Sequence, residues 1–202
     1  MKHDKRLLRI VLFLLTACSS PQQNETTPAR VSFTPASVST TASPTAVIRT
    51  FLTWYAQHQT QLNSLPFVPA ALDEDSTNVF AVDVHAVDSY VRLLQSSGTV
   101  SPAYLQVQRR YFQQCQDSLQ AHPQTDGFIQ GLDFDHVLYT QAGEAQTQFV
   151  LASQPSQVTI HADTARVLYR WSERQMSEGR NLAFSLAREQ GRWLITAIRP
   201  IE

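Results

Sequence analysis

The stretch Asp133-Phe134-Asp135-His136 crowds two carboxylates and an imidazole together, with Asp126 a short way upstream across Gly127 and Gly131. In an extended chain Asp133 and Asp135 project to one side, and Leu132, Phe134 and His136 to the other. Two carboxylates a dipeptide apart can share a proton, which raises one pKa. With Asp126 they can also clamp a hard cation. The two glycines would let the backbone fold back far enough to bring Asp126 close. A structural reading competes: Asp126 caps a turn, while Asp133 and Asp135 accept backbone N–H bonds or pair with arginine where a loop meets a strand. Residue types alone favour the structural reading, since ion-pair networks perturb carboxylates as active sites do.

The other reactive side chains are scattered. His136 is the histidine beside the cluster, whereas His58, His85, His122 and His161 stand singly without metal-ligand spacing. Cys115 falls on an apolar helical stripe and reads as a buried thiol. Arg109-Arg110 and the pair Arg166/Arg170 are possible anion contacts, with solvated or acid-paired charge the plainer expectation. The sequence contains no glycine-rich phosphate loop, no His-Glu-x-x-His, no Cys-x-x-Cys and no Gly-x-Ser-x-Gly. The expectation is therefore no metal and no cofactor. A formal net charge of -1 also argues against a nucleic-acid partner.

Three helices lead the elements that must position these residues. Ser43-Pro44 is a cap followed by a first-turn proline, and Val47, Ile48, Phe51, Leu52, Tyr55 and Leu62 recur at helical spacing behind it. A loop is expected over 63–82. A second helix follows from about Asp83 to Ser97, with Val84, Val87, Val91 and Leu94 on one face and Gly98 as its stop. Ser101-Pro102 opens a third, which buries Leu105, Phe112, Cys115 and Leu119 and ends at His122-Pro123.

After residue 135 the period becomes two. Strands are expected at Val137–Thr140, Gln148–Ala152, Val158–Arg174 and Arg180–Arg199, the last folded into a hairpin at Gln190-Gly191. That turn sets Leu186 opposite Ile195 and Phe184 opposite Ala197, with Trp193 beside Arg188, and leaves Ile198 on the milder sheet face. The fold class is α+β: about three N-terminal helices packed on one face of a curved antiparallel sheet of four to six strands.

The N-terminus reads as an address. Lys2, Lys5, Arg6 and Arg9 precede an apolar run from Ile10 to Leu15, shorter than the roughly 20 residues a bilayer span needs. Leu15-Thr16-Ala17-Cys18 then resembles the lipobox of bacterial lipoproteins. That resemblance implies cleavage before Cys18, lipidation of its sulfur and usually acylation of its new amine. With Ser19 rather than Asp next, it also implies the periplasmic leaflet of the outer membrane. Losing residues 1–17 removes four basic side chains and Asp4, leaving 12 basic against 16 acidic and a net charge of −4. Both lysines of the chain, Lys2 and Lys5, go with the leader. Residues 18–43, rich in Ser, Thr, Pro and Gln, follow as a tether of about 25–30 Å reach. Residues 44–202 form the folded domain.

Helices first and antiparallel strands last, closing on Gly191-Arg192-Trp193-Leu194-Ile195 and Ile198, resemble the nuclear-transport-factor-2-like, or cystatin-like, α+β cone superfamily. Ser96-Ser97-Gly98, Ser101, Tyr111-Phe112, Cys115, Asp126-Gly127 and Gly131-Leu132-Asp133-Phe134-Asp135 through Thr140-Gln141 resemble an uncharacterised family of bacterial lipoproteins with that fold. These likenesses imply a fold and a compartment, and no activity. The leading expectation is a non-enzymatic, membrane-tethered envelope domain that binds a protein or small ligand, as immunity or inhibitor proteins do. One rival is a cavity enzyme in which Asp133 and Asp135 converge for proton transfer or hydrolysis. Another is an envelope assembly factor, monomeric or paired through the mild sheet face.

Overall fold

The computed structural model describes residues 42–69, 79–129, 131–171 and 180–202. The leader, Cys18 and nearly all of the tether lie outside the described residues.

Three capped helices come first, as expected. Helix α1 (Pro44–Asn63) is capped by the Ser43 hydroxyl, which accepts from the Ala46 N–H. Helix α2 (Val84–Ser96) is capped by the Asp83 carboxylate, which accepts from the His85 N–H. Helix α3 (Pro102–Ala121) is capped by the Ser101 hydroxyl. Each cap satisfies one of the N–H groups that a helix start leaves open. One position departs from the expected stripe: Val84 is 68% exposed, and Tyr90 and Ala86 take part in the buried face instead.

The segment after residue 135 corrects two expected strands. Val137–Thr140 is a tight turn, with only an isolated bridge between Asp135 and Thr140. Burial there does not alternate, because Asp135, His136, Val137 and Leu138 are all buried. The cause is local: the Asp135 side chain accepts the Val137 and Leu138 N–H groups, and its backbone carbonyl accepts that of Tyr139. Those three donors are thereby taken from any strand ladder. Gln148–Ala152 belongs to a fourth helix, α4 (Gly143–Ala152). This helix has no side-chain cap at Ala142, so its start carries no signal that residue type could reveal. The described residues thus hold four helices, the last coming in chain order between the expected trio and the sheet.

The sheet is a four-stranded antiparallel meander of β1 (Gln157–His161), β2 (Thr164–Tyr169), β3 (Asn181–Glu189) and β4 (Arg192–Ile201). Gln190 and Gly191, at φ 51° and 78°, make the tight turn between β3 and β4, since a two-residue hairpin loop of this hand needs positive φ at both positions. Leu186 faces Ile195 and Arg188 faces Trp193, whose ring the guanidinium covers at 4.7 Å. Beyond them the register slips by one at Ser185/Leu186, so Phe184 faces Ile198 rather than Ala197. This bulge turns Ile198 from the mild face into the core, where it is 2% exposed.

Ala165, Val167, Phe184, Leu186, Ile195 and Ile198 share the face on which α1 and α3 lie, together with Phe51, Leu52, Leu94 and Phe112. The segment leading into α3 makes an isolated bridge to the outer edge of β4: Ile195 N–H donates to the Thr99 carbonyl and Ser101 N–H to the Ile195 carbonyl. That clamp sets α3 beside β4. No helix among the described residues is long and apolar enough to cross a membrane.

Candidate functional site

Asp135 is the joint around which the site is built. Its Oδ1 accepts the Val137 and Leu138 N–H groups at 2.9 and 2.8 Å. Its Oδ2 accepts the Tyr55 hydroxyl in a short hydrogen bond and the Gln59 amide at 3.2 Å, both from α1. Four donors therefore satisfy a carboxylate that is 7% exposed, and they lock the 135–140 turn onto the first helix. Burial, with the adjacent carboxylate adding to it, holds the Tyr55 phenol well above its ordinary range, so it remains a donor. The N-terminus of α4 closes on the same group. A Cβ at Gly143 would collide with both Asp135 Oδ2 and Gln59 Nε2, so any larger residue there must displace the joint.

Asp133 and Asp126 stand apart from this joint. Asp133 is exposed at the mouth of the cleft described below and makes no hydrogen bond with the described residues. The chain there turns rather than extends, so Asp133 and Asp135 do not form the side-by-side pair of an extended strand. Asp126 is exposed, and although Gly127, Phe128 and Ile129 after it line the cleft, Asp126 itself does not. Among the described residues no three acidic, histidine or cysteine side chains are grouped to hold a metal ion.

His136 is 8% exposed and is packed by aromatic rings on several sides. Phe112 lies 5.0 Å away between centroids, Phe134 5.2 Å, Tyr111 5.5 Å and Phe67 5.6 Å. Burial lowers its pKa to about 4, against the opposing pull of the Asp133 charge, so the ring is neutral at neutral pH. Its Nδ1 and the hydroxyl of Tyr90, 6.4 Å away between centroids, are buried without a hydrogen-bond partner among the described residues. Cys115, expected on the buried stripe, is buried there, and its environment raises the thiol pKa. Its neighbour Tyr111 instead donates a short hydrogen bond to the Gly131 carbonyl.

Tyr55, Gln59, Tyr90, Asp135 and His136 line an open cleft of about 900 Å³ between the end of α1, the 64–69 turn and residues 127–129 and 131–136. Its walls are Leu62, Phe67, Phe80, Ile129, Leu132 and Phe134, and its polar rim is Gln59, Thr60, Asn63, Gln141 and Glu144. Phe128 stands at the rim, 92% exposed. Concave, mostly apolar walls with a few polar groups at the edge are the usual make-up of a ligand cleft.

Residue types pointed to Asp135 and His136, and both line the cleft. They did not point to Tyr55, Gln59 or Gly143. A signal existed for the first: a tyrosine on the buried stripe of a helix needs a partner for its hydroxyl. Gln59, one turn later, shares its face. Of the arginine candidates, Arg109 is paired with Asp88 across α2 and α3, and Arg170 donates to the Glu202 carbonyl. Comparison of the chain with family models, with curated proteins and with solved structures finds no match.

Proposed function

We propose that this chain is a lipid-anchored binding domain of the bacterial envelope, held by Cys18, which receives an apolar group in the cleft between α1 and the 127–136 loop. The observation that carries the reading is Phe128 standing in solvent at the rim of an aromatic-walled cleft whose buried carboxylate is saturated by four donors. A site built for proton transfer needs a carboxylate with free acceptor capacity aimed at the reacting atom. Here Asp135 has none to spare, and the reading of the cluster as a catalytic carboxylate pair finds no support. Binding fits better. Among the described residues the rim carries Asp133 and Glu144 and no basic side chain, which favours a ligand whose apolar body ends in a cation or a hydrogen-bond donor.

We assign the domain to the nuclear-transport-factor-2-like cone on the same footing. What supports this is the order of helices before an antiparallel meander and the bulge at Ser185/Leu186, a device that bends a strand.

Two measurements on the full chain test the proposal. Mass spectrometry of the envelope-extracted protein is expected to find an N-terminal Cys18 bearing acyl chains. The mature form has no lysine, so once fully acylated it does not react with amine-directed dyes. An unmodified leader still attached in cells overturns the anchor. Titration with phenethylammonium is expected to saturate, and to be at least fivefold tighter than titration with phenylacetate. Equal affinity for the two probes, or no binding of either, overturns the reading of the cleft.

A further inference from the structure

We propose that the groove between α3 and β4, on the far side of Phe134 and His136 from the cleft, is a second binding site that takes a small aromatic carboxylate. The groove encloses about 350 Å³ between Val107, Arg110, Tyr111 and Gln114 on α3, the 134–139 turn, and Arg199 on β4. A lobe of about 330 Å³ continues it along Tyr104, Ala197, Ile198 and Pro200. The volume is at the small end of the range for ligand sites and matches one or two fused rings.

Its charge sets it apart. Arg110 and Arg199 both line the groove, and among the described residues no acidic side chain does. Neither guanidinium has a hydrogen-bond or ion-pair partner among the described residues, although Arg109 beside the first is paired with Asp88. A guanidinium is a planar fork that matches a carboxylate with two parallel N–H donors, and two of them at one groove favour an anion over a neutral ligand. The remaining wall is flat and uncharged. Tyr111, Phe134 and Tyr139 supply rings, and His136, neutral at neutral pH, adds surface without adding charge. Rings of this kind prefer to stack on another ring.

The backbone of the wall is also held in an unusual conformation. Tyr139 has φ 57°, in the left-handed region that costs a residue other than glycine roughly 1–2 kcal/mol. Its N–H donates to the Asp135 carbonyl at 2.8 Å, so the Asp135 joint holds the strained turn in place. The strain places the Tyr139 ring in the groove beside Arg199, whose charge opposes the upward push of burial on the phenol. Strain that the surroundings enforce is found where a side chain must be aimed.

The test uses the full chain and 2-naphthoate as probe, with 2-naphthamide as its uncharged counterpart. The naphthoate is expected to bind at least fivefold more tightly than the amide. The double variant Arg110→Gln/Arg199→Gln is expected to weaken naphthoate at least fivefold at an unchanged melting temperature, and each single variant by about half that factor. Arg170→Gln, outside the groove, and Phe128→Ala, in the cleft, are expected to leave its affinity unchanged. The proposal is overturned if the double variant binds naphthoate as wild type does. It is equally overturned if the amide binds as well, if inorganic phosphate competes as strongly as the naphthoate, or if Phe128→Ala is the variant that removes binding.

Discussion

The cleft and the groove share Phe134 and His136 as a common wall, yet they carry opposite charge. Among the described residues, Asp133, Asp135 and Glu144 line the cleft without an arginine, while Arg110 and Arg199 line the groove without a carboxylate. The whole chain is nearly neutral, at a formal -1. Net charge therefore says little here, because the fold sorts opposite charges onto the two sides of one aromatic partition. The partition itself is uncharged at neutral pH, and the turn that supports it hangs from Asp135.

Removing that support breaks the comparison most severely. Asp135→Ala strands the Tyr55 hydroxyl, the Gln59 amide and two backbone N–H groups, three of them from buried residues. Chemical denaturation is expected to show a loss of about 3–5 kcal/mol. Asp135→Asn keeps acceptor capacity and should lose less. Gly143→Ala, which drives a Cβ onto the same carboxylate, is expected to rank beside Asp135→Ala. Loss of less than about 1 kcal/mol in Asp135→Ala would mean that the joint does not hold the wall.

Acid attacks the partition next. The unfolded His136 takes a proton near pH 6.5, whereas the folded ring resists protonation until about pH 4. Between those values the unfolded chain binds more protons, so the contribution of this residue is full above about pH 6.5 and is lost as pH falls toward 4. The loss is roughly 3 kcal/mol for a group this buried. Denaturation of wild type and His136→Phe at pH 7 and pH 4.5 checks it: the phenylalanine variant is expected to lose about 2–3 kcal/mol less stability over that interval. Parallel losses in the two proteins would refute the account of the ring.

The rim separates binding from stability. Phe128 is almost wholly exposed, so Phe128→Ala should change stability by no more than about 0.5 kcal/mol. Phenethylammonium affinity is expected to fall at least threefold in the same variant. A smaller effect sharpens the wall itself: Tyr90→Phe removes a buried hydroxyl that has no partner, and is expected to be neutral or to stabilise by up to about 1 kcal/mol. A clear destabilisation would reveal a partner for that hydroxyl.

The helices were legible in the sequence because each start carries its signal on the chain itself: Ser43-Pro44, Asp83 and Ser101-Pro102 all cap as their types imply. Helix α4 was not, since Ala142 does not cap and Phe149-Val150-Leu151 reads equally as strand. Its Gln146 side chain bonds both the N–H and the carbonyl of Arg180, a distant partner that no local period displays. The β3–β4 turn was legible, whereas the bulge beyond it was not, because a one-residue slip leaves no mark on residue type. At the site, Asp135 and His136 were visible by type. The role of Asp135 was not, since it depends on Tyr55 and Gln59 arriving from a helix some eighty residues earlier. The pairing of Arg110 with Arg199 across the groove likewise rests on the Thr99–Ser101 clamp that sets α3 against β4.

Whether the cleft is the binding site is decided by following the backbone amide resonances of the full chain during a phenethylammonium titration. Saturable shifts are expected, centred on Thr60, Phe67, Phe128 and Glu144, with a midpoint at least threefold higher in Phe128→Ala. Saturable shifts centred on Val107 and Arg199 instead, or none at saturating probe, would contradict that expectation.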